Sequence, residues 1–252
     1  KNLKLLKLRR KIKSKYSLGA WMQTCEPIIA EIFSKRKFDW VALDLEHGIF
    51  DVNKLQNIFR AIEINEKLPF VRLANHDTKF LNQLFDAGCC GLIIPNITNH
   101  KQLEKIIKFS SWPPDGIRGV GFSRANNFGQ NFKEYKKLAQ NPFIVAMIEN
   151  VESFKNLKKI LSVKGLDAIL IGPYDLSASL GSPGNFKTKK FKKAIKSITI
   201  ECKKNKISCG MHLVDPEKSK ISTLRKQGHS FIPFSIDTVL INNILDKYLG
   251  KQ

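Results

Sequence analysis

Eight short apolar runs, separated by charged segments of helical periodicity, constrain the fold of this chain more than any other feature. They are LGAWMQ (18–23), WVALDLE (40–46), PFVRLA (69–74), GLIIPN (91–96), FIVAMIE (143–149), DAILIG (167–172), ISCGMHL (207–213) and SFIPFSI (230–236). Runs of six or seven residues are strand-sized and far too short to span a membrane. Between them, stretches such as VNKLQNIFRAIEIN (52–65) repeat apolar residues at three- and four-residue steps, here Leu55, Ile58, Phe59 and Ile62, the signature of a helix with one buried face. Eight strand–helix units in 252 residues predict an α/β protein, a (β/α)8 TIM barrel forming one domain over residues 1–252. A doubly wound open sheet would carry a glycine-rich phosphate turn after its first strand, and LGAWMQTCEP has none. The opening KNLKLLKLRRKIKSKYSLG reads as a short amphipathic helix leading into the first strand; an organelle transit peptide is the alternative, and the stretch lacks the apolar core of a secretory signal.

The formal net charge is +21, from 43 Lys and Arg against 22 Asp and Glu. Such a field attracts anions, nucleic acids among them. The lysines nevertheless cluster where surface helices are expected, as at Lys101, Lys105 and Lys108 or Lys189, Lys190, Lys192, Lys193 and Lys196. With no zinc-finger spacing and no RNA-binding aromatic motif, they read as solvated helix faces, and no nucleic-acid partner is expected. Cys25, Cys89, Cys90, Cys202 and Cys209 form an odd set without a C-x-x-C pair, which points to a reducing compartment. A soluble, cytoplasmic protein without a membrane partner is expected.

Ionisable residues at strand ends read as catalytic in a barrel of this kind. Glu149 and Asp175 close the runs FIVAMIEN and GLDAILIGPYD, and two carboxylates converging at a barrel mouth would hold a divalent cation with positions left for substrate oxygens. Arg72 ends PFVR, where a guanidinium suits capture of a carboxylate or developing enolate; an internal salt bridge with Asp44 or Glu46 is the other reading. His47, behind Asp44 and Glu46, is the candidate base. Asp86 in LFDAGCCG is a candidate orienting residue, or simply the end of a helix. His212 in GMHLVD reads as structural. None of the eight runs contains a lysine, so a Schiff-base aldolase is not supported, and no G-x-S-x-G marks a nucleophilic serine. The Gly-, Pro- and Asn-rich stretch SSWPPDGIRGVGFSRANNFGQN (110–131) predicts a long loop. It is expected to rise from the face bearing the strand C-termini and to help form the pocket or an inter-subunit contact; otherwise Arg118 and Arg124 merely pair with nearby acids.

In order along the chain, WVALDLEHG, PFVRLAN, GIRGVGFSRANNFG, MIEN and ILIGPYDLSASLG resemble the HpcH/HpaI aldolase family of the phosphoenolpyruvate/pyruvate barrel superfamily. The resemblance covers nearly the whole chain, and G-P-x-D-L-S-x-S-x-G is its most specific part. It implies a metal-dependent class II aldolase acting on 4-hydroxy-2-oxo acids and releasing pyruvate or a close analogue plus an aldehyde. Glu149 and Asp175 would then ligate Mg2+, Mn2+ or Co2+, and Arg72 would contact the keto oxygen. His47, oriented by Asp86 of the same or a neighbouring subunit, would be the base. The segment Gly172, Pro173, Tyr174, Asp175 would offer backbone N–H groups to the substrate carboxylate, within a homo-oligomer, typically a hexamer. The chain departs from the commoner motif in having Met147 where glutamine precedes the metal glutamate by two residues, and a thioether cannot donate a hydrogen bond. Tyr174 stands where a small residue is common and is expected to narrow the same corner. A CoA-thioester lyase on the same barrel is an alternative, though such relatives tend to be longer and differ around the arginine and the E-H turn.

Overall fold

The structure, a computed structural model, describes residues 1–49 and 51–250. Its eight strands are β1 (Ser17–Met22), β2 (Trp40–Asp44), β3 (Leu68–Arg72), β4 (Gly91–Ile94), β5 (Phe143–Ile148), β6 (Ala168–Ile171), β7 (Ser208–Met211) and β8 (His229–Phe234). Each pairs in parallel with the next, and β8 returns to β1 to close the barrel. All eight apolar runs become strands. Every run outlasts its strand by one or two residues, because the first residues of the following turns stay buried at the barrel rim: Leu45, Leu73 and Glu149 are each at most 4% exposed. The stretch 52–65 forms a 3-10 turn, Val52–Lys54, and the helix Leu55–Glu63, which buries Leu55, Ile58, Phe59 and Ile62 as its spacing requires.

Alternation along the strands divides the core in two. One set of residues, including Val41, Leu43, Val71, Leu92 and Ile144, packs outward against the helices. The other fills the barrel, where Trp40 stacks between Phe231 at 4.5 Å and Phe70 at 5.4 Å, with Phe143 beside Phe70 at 5.2 Å. Gly19 makes this layer possible, since a Cβ there would lie 2.2 Å from the Trp40 ring. The N-terminal helix Asn2–Ser14 plugs this end of the barrel, adding Leu5, Leu8 and Ile12 to the same cluster. Arg9 clamps it in place, with Nε donating to Asp167 Oδ1 at 2.6 Å and Nη2 to Asp167 Oδ2 at 2.9 Å and the Pro142 carbonyl at 3.0 Å.

The long segment after Ser110 departs from expectation. The helix His100–Ser110 intervenes between β4 and the loop, so the chain enters it from a helix end and not from a strand end. It packs along the outside of the helix Leu81–Ala87 and contains one 3-10 turn, Arg124–Asn126. Arg124 donates to Glu63 at 2.8 Å and to the Ala87 carbonyl at 2.8 Å, both at helix C-termini near the plugged end. Arg118 is 2% exposed, held over the rings of Phe85 and Trp112 and donating to Tyr135 Oη at 2.9 Å, with Asp86 at 4.0 Å. Within the chain, therefore, the loop does not line the mouth at the strand C-termini, and its arginines pair with nearby acids. Among the described residues no helix is long and apolar enough to cross a membrane.

If the plug is part of the core, Leu5→Ala removes a side chain with no solvent exposure and leaves a cavity against the aromatic layer. A loss of about 2–5 kcal/mol is expected, read from urea unfolding of the two proteins side by side.

Candidate active site

The polar rim of the barrel is built around Asp44 and Arg72, neighbours in the β2–β3 register and both pointing inward. Arg72 Nε donates to Asp44 Oδ1 at 2.8 Å, and Nη2 donates to Oδ2. Its Nη1 meets Glu46 Oε2 at 2.8 Å. Asp44 has no solvent exposure and Arg72 has 6%. Burial opposes the Asp44 carboxylate, but the hydrogen bonds and charge of Arg72 outweigh it and hold the group below the usual carboxylate range. Further donors converge on the same two oxygens: Trp21 Nε1 at 3.2 Å, Gln23 Nε2 at 3.3 Å, and the backbone N–H groups of Glu46 and His47 at 3.0 and 3.2 Å.

Those last two bonds shape the turn carrying His47. The Gly48 N–H closes it on the Asp44 carbonyl at 3.1 Å, and a Cβ on Gly48 would lie 2.2 Å from that oxygen. His47 is thus fixed by its backbone while its ring stands exposed, with no hydrogen-bond partner among the described residues.

Glu149, one residue past β5, is 4% exposed, and Oε1 accepts the Asn96 N–H at 2.5 Å. Burial pushes its pKa up to about 7; the Asn96 bond opposes this, and the charges of Glu46 and Asp175 add to it. Glu46 is likewise raised by burial, with Arg72 and His47 opposing and Asp44 and Asp175 reinforcing. Asn96 Nδ2 ties Glu46 Oε1 into the group at 3.0 Å. Asp175 lies in the first turn of the helix Pro173–Ser179, exposed to the mouth. Gly172 brings β6 against the pair, since a Cβ there would meet Glu149 Oε2 at 2.8 Å. A chain of net charge +21 thus gathers four carboxylates around one guanidinium. Neither Glu149 nor Asp175 has an ion-pair partner among the described residues.

The model of the HpcH/HpaI aldolase/citrate lyase family matches residues 17–243, which takes in every strand and the whole rim. The chain belongs to this family. A 2-keto-3-deoxy-L-rhamnonate aldolase from Salmonella gallinarum is 30% identical over 235 residues, covering 92% of this chain and 87% of the relative. A hydroxypyruvate/pyruvate aldolase from Pseudomonas aeruginosa is 28% identical, covering 93% and 87%. The crystal structure of an HpcH/HpaI aldolase/citrate lyase family protein from Burkholderia cenocepacia superposes with a TM-score of 0.88 at 23% identity, covering 96% of this chain and 97% of that one.

Within this HpcH/HpaI frame, the structure brings His47, Arg72, Glu149, Gly172 and Asp175 to one rim. Met147 lies beneath them in the barrel interior, 3% exposed, its Cε 3.4 Å from where a Gly172 Cβ would stand. Three other expectations need correction. Pro173 is the first residue of its helix and has no N–H, so the backbone donors of that turn come from its neighbours. Tyr174 turns its ring edge-on to Phe186 at 5.1 Å and lines a cavity of about 210 Å³ with His212 and Met211, rather than closing the corner over Met147. Asp86 sits in the last turn of the helix Leu81–Ala87, beside Arg118 and near the plugged end, so within one chain it is at the far end of the barrel from His47. Burial raises its pKa, with Arg118 and Ser123 opposing. His212 is tied into the rim: its Nε2 lies 3.0 Å from the Ser235 carbonyl, its ring packs on Trp21 at 4.7 Å, and burial lowers its pKa to about 4.

Two contributors escaped the sequence reading. Asn96 supplies both a backbone and a side-chain donor to the acidic group from a left-handed φ of 53°, a region asparagine tolerates. Asp237 pins the turn after β1 by accepting from the N–H groups of Gln23 and Thr24 at 2.9 and 3.1 Å.

Removing the centre of this network leaves Arg72 buried with one partner. Asp44→Ala is expected to cost about 3–5 kcal/mol of folding stability. Equilibrium denaturation at neutral pH measures it, and a cost below about 1 kcal/mol would show that the pair is incidental to the rim.

Proposed function

We propose that this chain is a divalent-cation-dependent aldolase that cleaves 4-hydroxy-2-oxo acids to pyruvate, or a close 2-oxo acid, and an aldehyde, and that also runs the reaction in the synthetic direction. The observation that carries the reading is the acidic rim: four carboxylates around a single arginine, two of them without an ion-pair partner, in an otherwise strongly basic chain. Among the described residues no three His, Cys, Asp or Glu side chains form a ready-made ligand set. A two-carboxylate site fits a hard cation such as Mg2+, which keeps most of its shell for water and substrate oxygens. Glu149 and Asp175 would hold it, and when bound it would supply Lewis-acid polarisation of the oxo acid's oxygens. The two relatives, both named as aldolases, support the same chemistry.

The chain's own residues divide the remaining work. Three of the five N–H groups of Arg72 are engaged by Asp44 and Glu46, which leaves two free to donate to the keto oxygen of the substrate. His47 takes the proton of the C4 hydroxyl at a ring nitrogen. As that proton leaves, the C3–C4 bond breaks, its electrons pass to the C2 carbonyl, and the aldehyde departs. The enolate oxygen is met by Arg72, already positioned, so little reorganisation accompanies the charge transfer. The proton held by His47, returned through water to C3, then gives the 2-oxo acid and restores the base. The N–H groups of Tyr174 and Asp175, at the start of the helix Pro173–Ser179, suit the substrate carboxylate.

We also place the chain in a homo-oligomer. The helix Asp237–Leu249 exposes Ile241, Ile244, Leu245, Tyr248 and Leu249, a stripe at helical spacing, and the 110–131 loop exposes Val120, Phe122 and Phe128. Apolar area of this kind marks contact surfaces. Asp86 would reach His47 only across such a contact.

The direct test is a panel of aldehydes with pyruvate and oxaloacetate plus Mg2+, Mn2+ or Co2+, with products read by mass. Turnover should vanish with EDTA and return on adding the ion, while His47→Ala should retain a residue about 10²–10⁴-fold lower in kcat. Equal activity with and without chelator would falsify the scheme.

A second expectation concerns the floor of the site. Met147→Gln restores a donor below Glu149 and should lower KM for pyruvate, by about 5–10-fold for one neutral hydrogen bond. An unchanged KM in steady-state kinetics removes that role for position 147.

A further inference from the structure

A sizeable cavity lies at the opposite end of the barrel from the acidic rim. It occupies about 730 Å³ between the end of the helix Asn2–Ser14, the starts of β7 and β8, and the ends of the helices Lys189–Lys204 and Lys218–Lys226. Six cations line it, Lys13, Lys15, Lys203, Lys206, Arg225 and Lys226, and no carboxylate does. None of the six has a salt bridge or a side-chain hydrogen bond among the described residues; Arg225 alone has another partner, the Tyr16 ring, 4.3 Å from its guanidinium carbon.

Part of this charge has an ordinary explanation. Three helices end at the cavity, and each helix C-terminus carries about half a negative charge that favours lysine or arginine in the last turn. Three half-charges offset only about a quarter of the six positive ones, even with Lys15 at a helix C-cap and Lys206 one residue past another. A second observation comes from His229, which lines the same cavity although it is 1% exposed. Among the described residues its ring nitrogens have no hydrogen-bond partner other than the neighbouring Cys209 thiol, a weak one. A buried imidazole left without partners is costly unless a ligand satisfies it. Among the described residues the Cys and His side chains here are not arranged to hold a metal ion, whereas an anion's oxygen could accept from the ring N–H.

We propose that this cavity binds a compact polyanion carrying two or more phosphoryl groups, at a site separate from the acidic rim. Several hydroxyls of the lining, including Ser14, Thr199, Ser208 and Ser222, bond back to their own chain, so recognition falls to charge. The His229 imidazole is the only aromatic ring in the lining, which leaves little for a nucleobase to stack on and favours a plain polyphosphate over a nucleic acid.

Calorimetry of the metal-free full chain with pyrophosphate and with tripolyphosphate at about 150 mM salt tests this. Saturable one-to-one binding is expected, weakened at least tenfold in Lys15→Glu/Lys206→Glu. Lys101→Glu/Lys105→Glu, which changes the net charge equally on a distant exposed helix, should bind as the parent does. Absence of saturable binding would overturn the site, as would equal weakening in the two double variants, which indicates a diffuse field. Binding of an oligonucleotide without binding of either phosphate would overturn it as well.

Discussion

The Asp44–Arg72 pair is the constraint on which the rest of the rim depends. A buried ion pair seldom stabilises a fold on balance, because both ions lose their water. Here the loss is met by an unusual density of donors on one carboxylate: two N–H groups of Arg72, the Trp21 indole, Gln23 and two backbone N–H groups. The result is not simply stability. The six donors tie three elements to β2, so the turn bearing His47, the end of β3 and the end of β1 all take their positions from one side chain. The orientation of Arg72 toward the mouth, with Glu46 on its remaining edge, follows from the same anchor.

The charge distribution extends this logic to the whole molecule. A surplus of cations would be expected to neutralise any acid within reach, yet the rim keeps Glu149 and Asp175 clear of lysine. It does so because the strands that deliver them carry apolar side chains throughout, and the lysines ride on the helices outside. The basic residues reappear at the plugged end, where helix C-termini gather them. Carboxylates thus gather where the strands end, and the six cations of the cavity gather where strands begin.

Much of this was legible in the chain itself. Strand-length apolar runs with no helical spacing could become little but buried parallel strands, and the residues closing them, Arg72 and Glu149, had to sit at the rim. What the sequence could not convey was partnership. Arg72 was readable either as a substrate clamp or as a salt bridge, and its five donors allow both at once. The 110–131 loop was placed at the wrong end because its composition identifies a loop but not the element from which it departs; one helix, His100–Ser110, reverses its position. Pro173 was grouped with backbone donors by its place in a motif, when its ring removes the donor. Asn96 sits in an inconspicuous turn, and only three-dimensional closure brings its N–H to Glu149.

Asp86 shows how far a single chain can go. It ends a helix, and in a parallel barrel every helix runs back from the strand C-termini toward the strand N-termini, so a residue in its last turn is carried away from the rim by construction. No side-chain rotamer returns it to its own His47. If Asp86 orients that histidine as proposed, the two must come from different copies, and the surface that joins them must run from the helix Leu81–Ala87 to a neighbour's mouth. The 110–131 loop packs on that same helix and holds Phe122 and Phe128 outward, 76% and 70% exposed, on a segment braced by the buried Arg118. A rigid loop presenting aromatic rings beside the one site residue displaced from the rim is what such a contact would need.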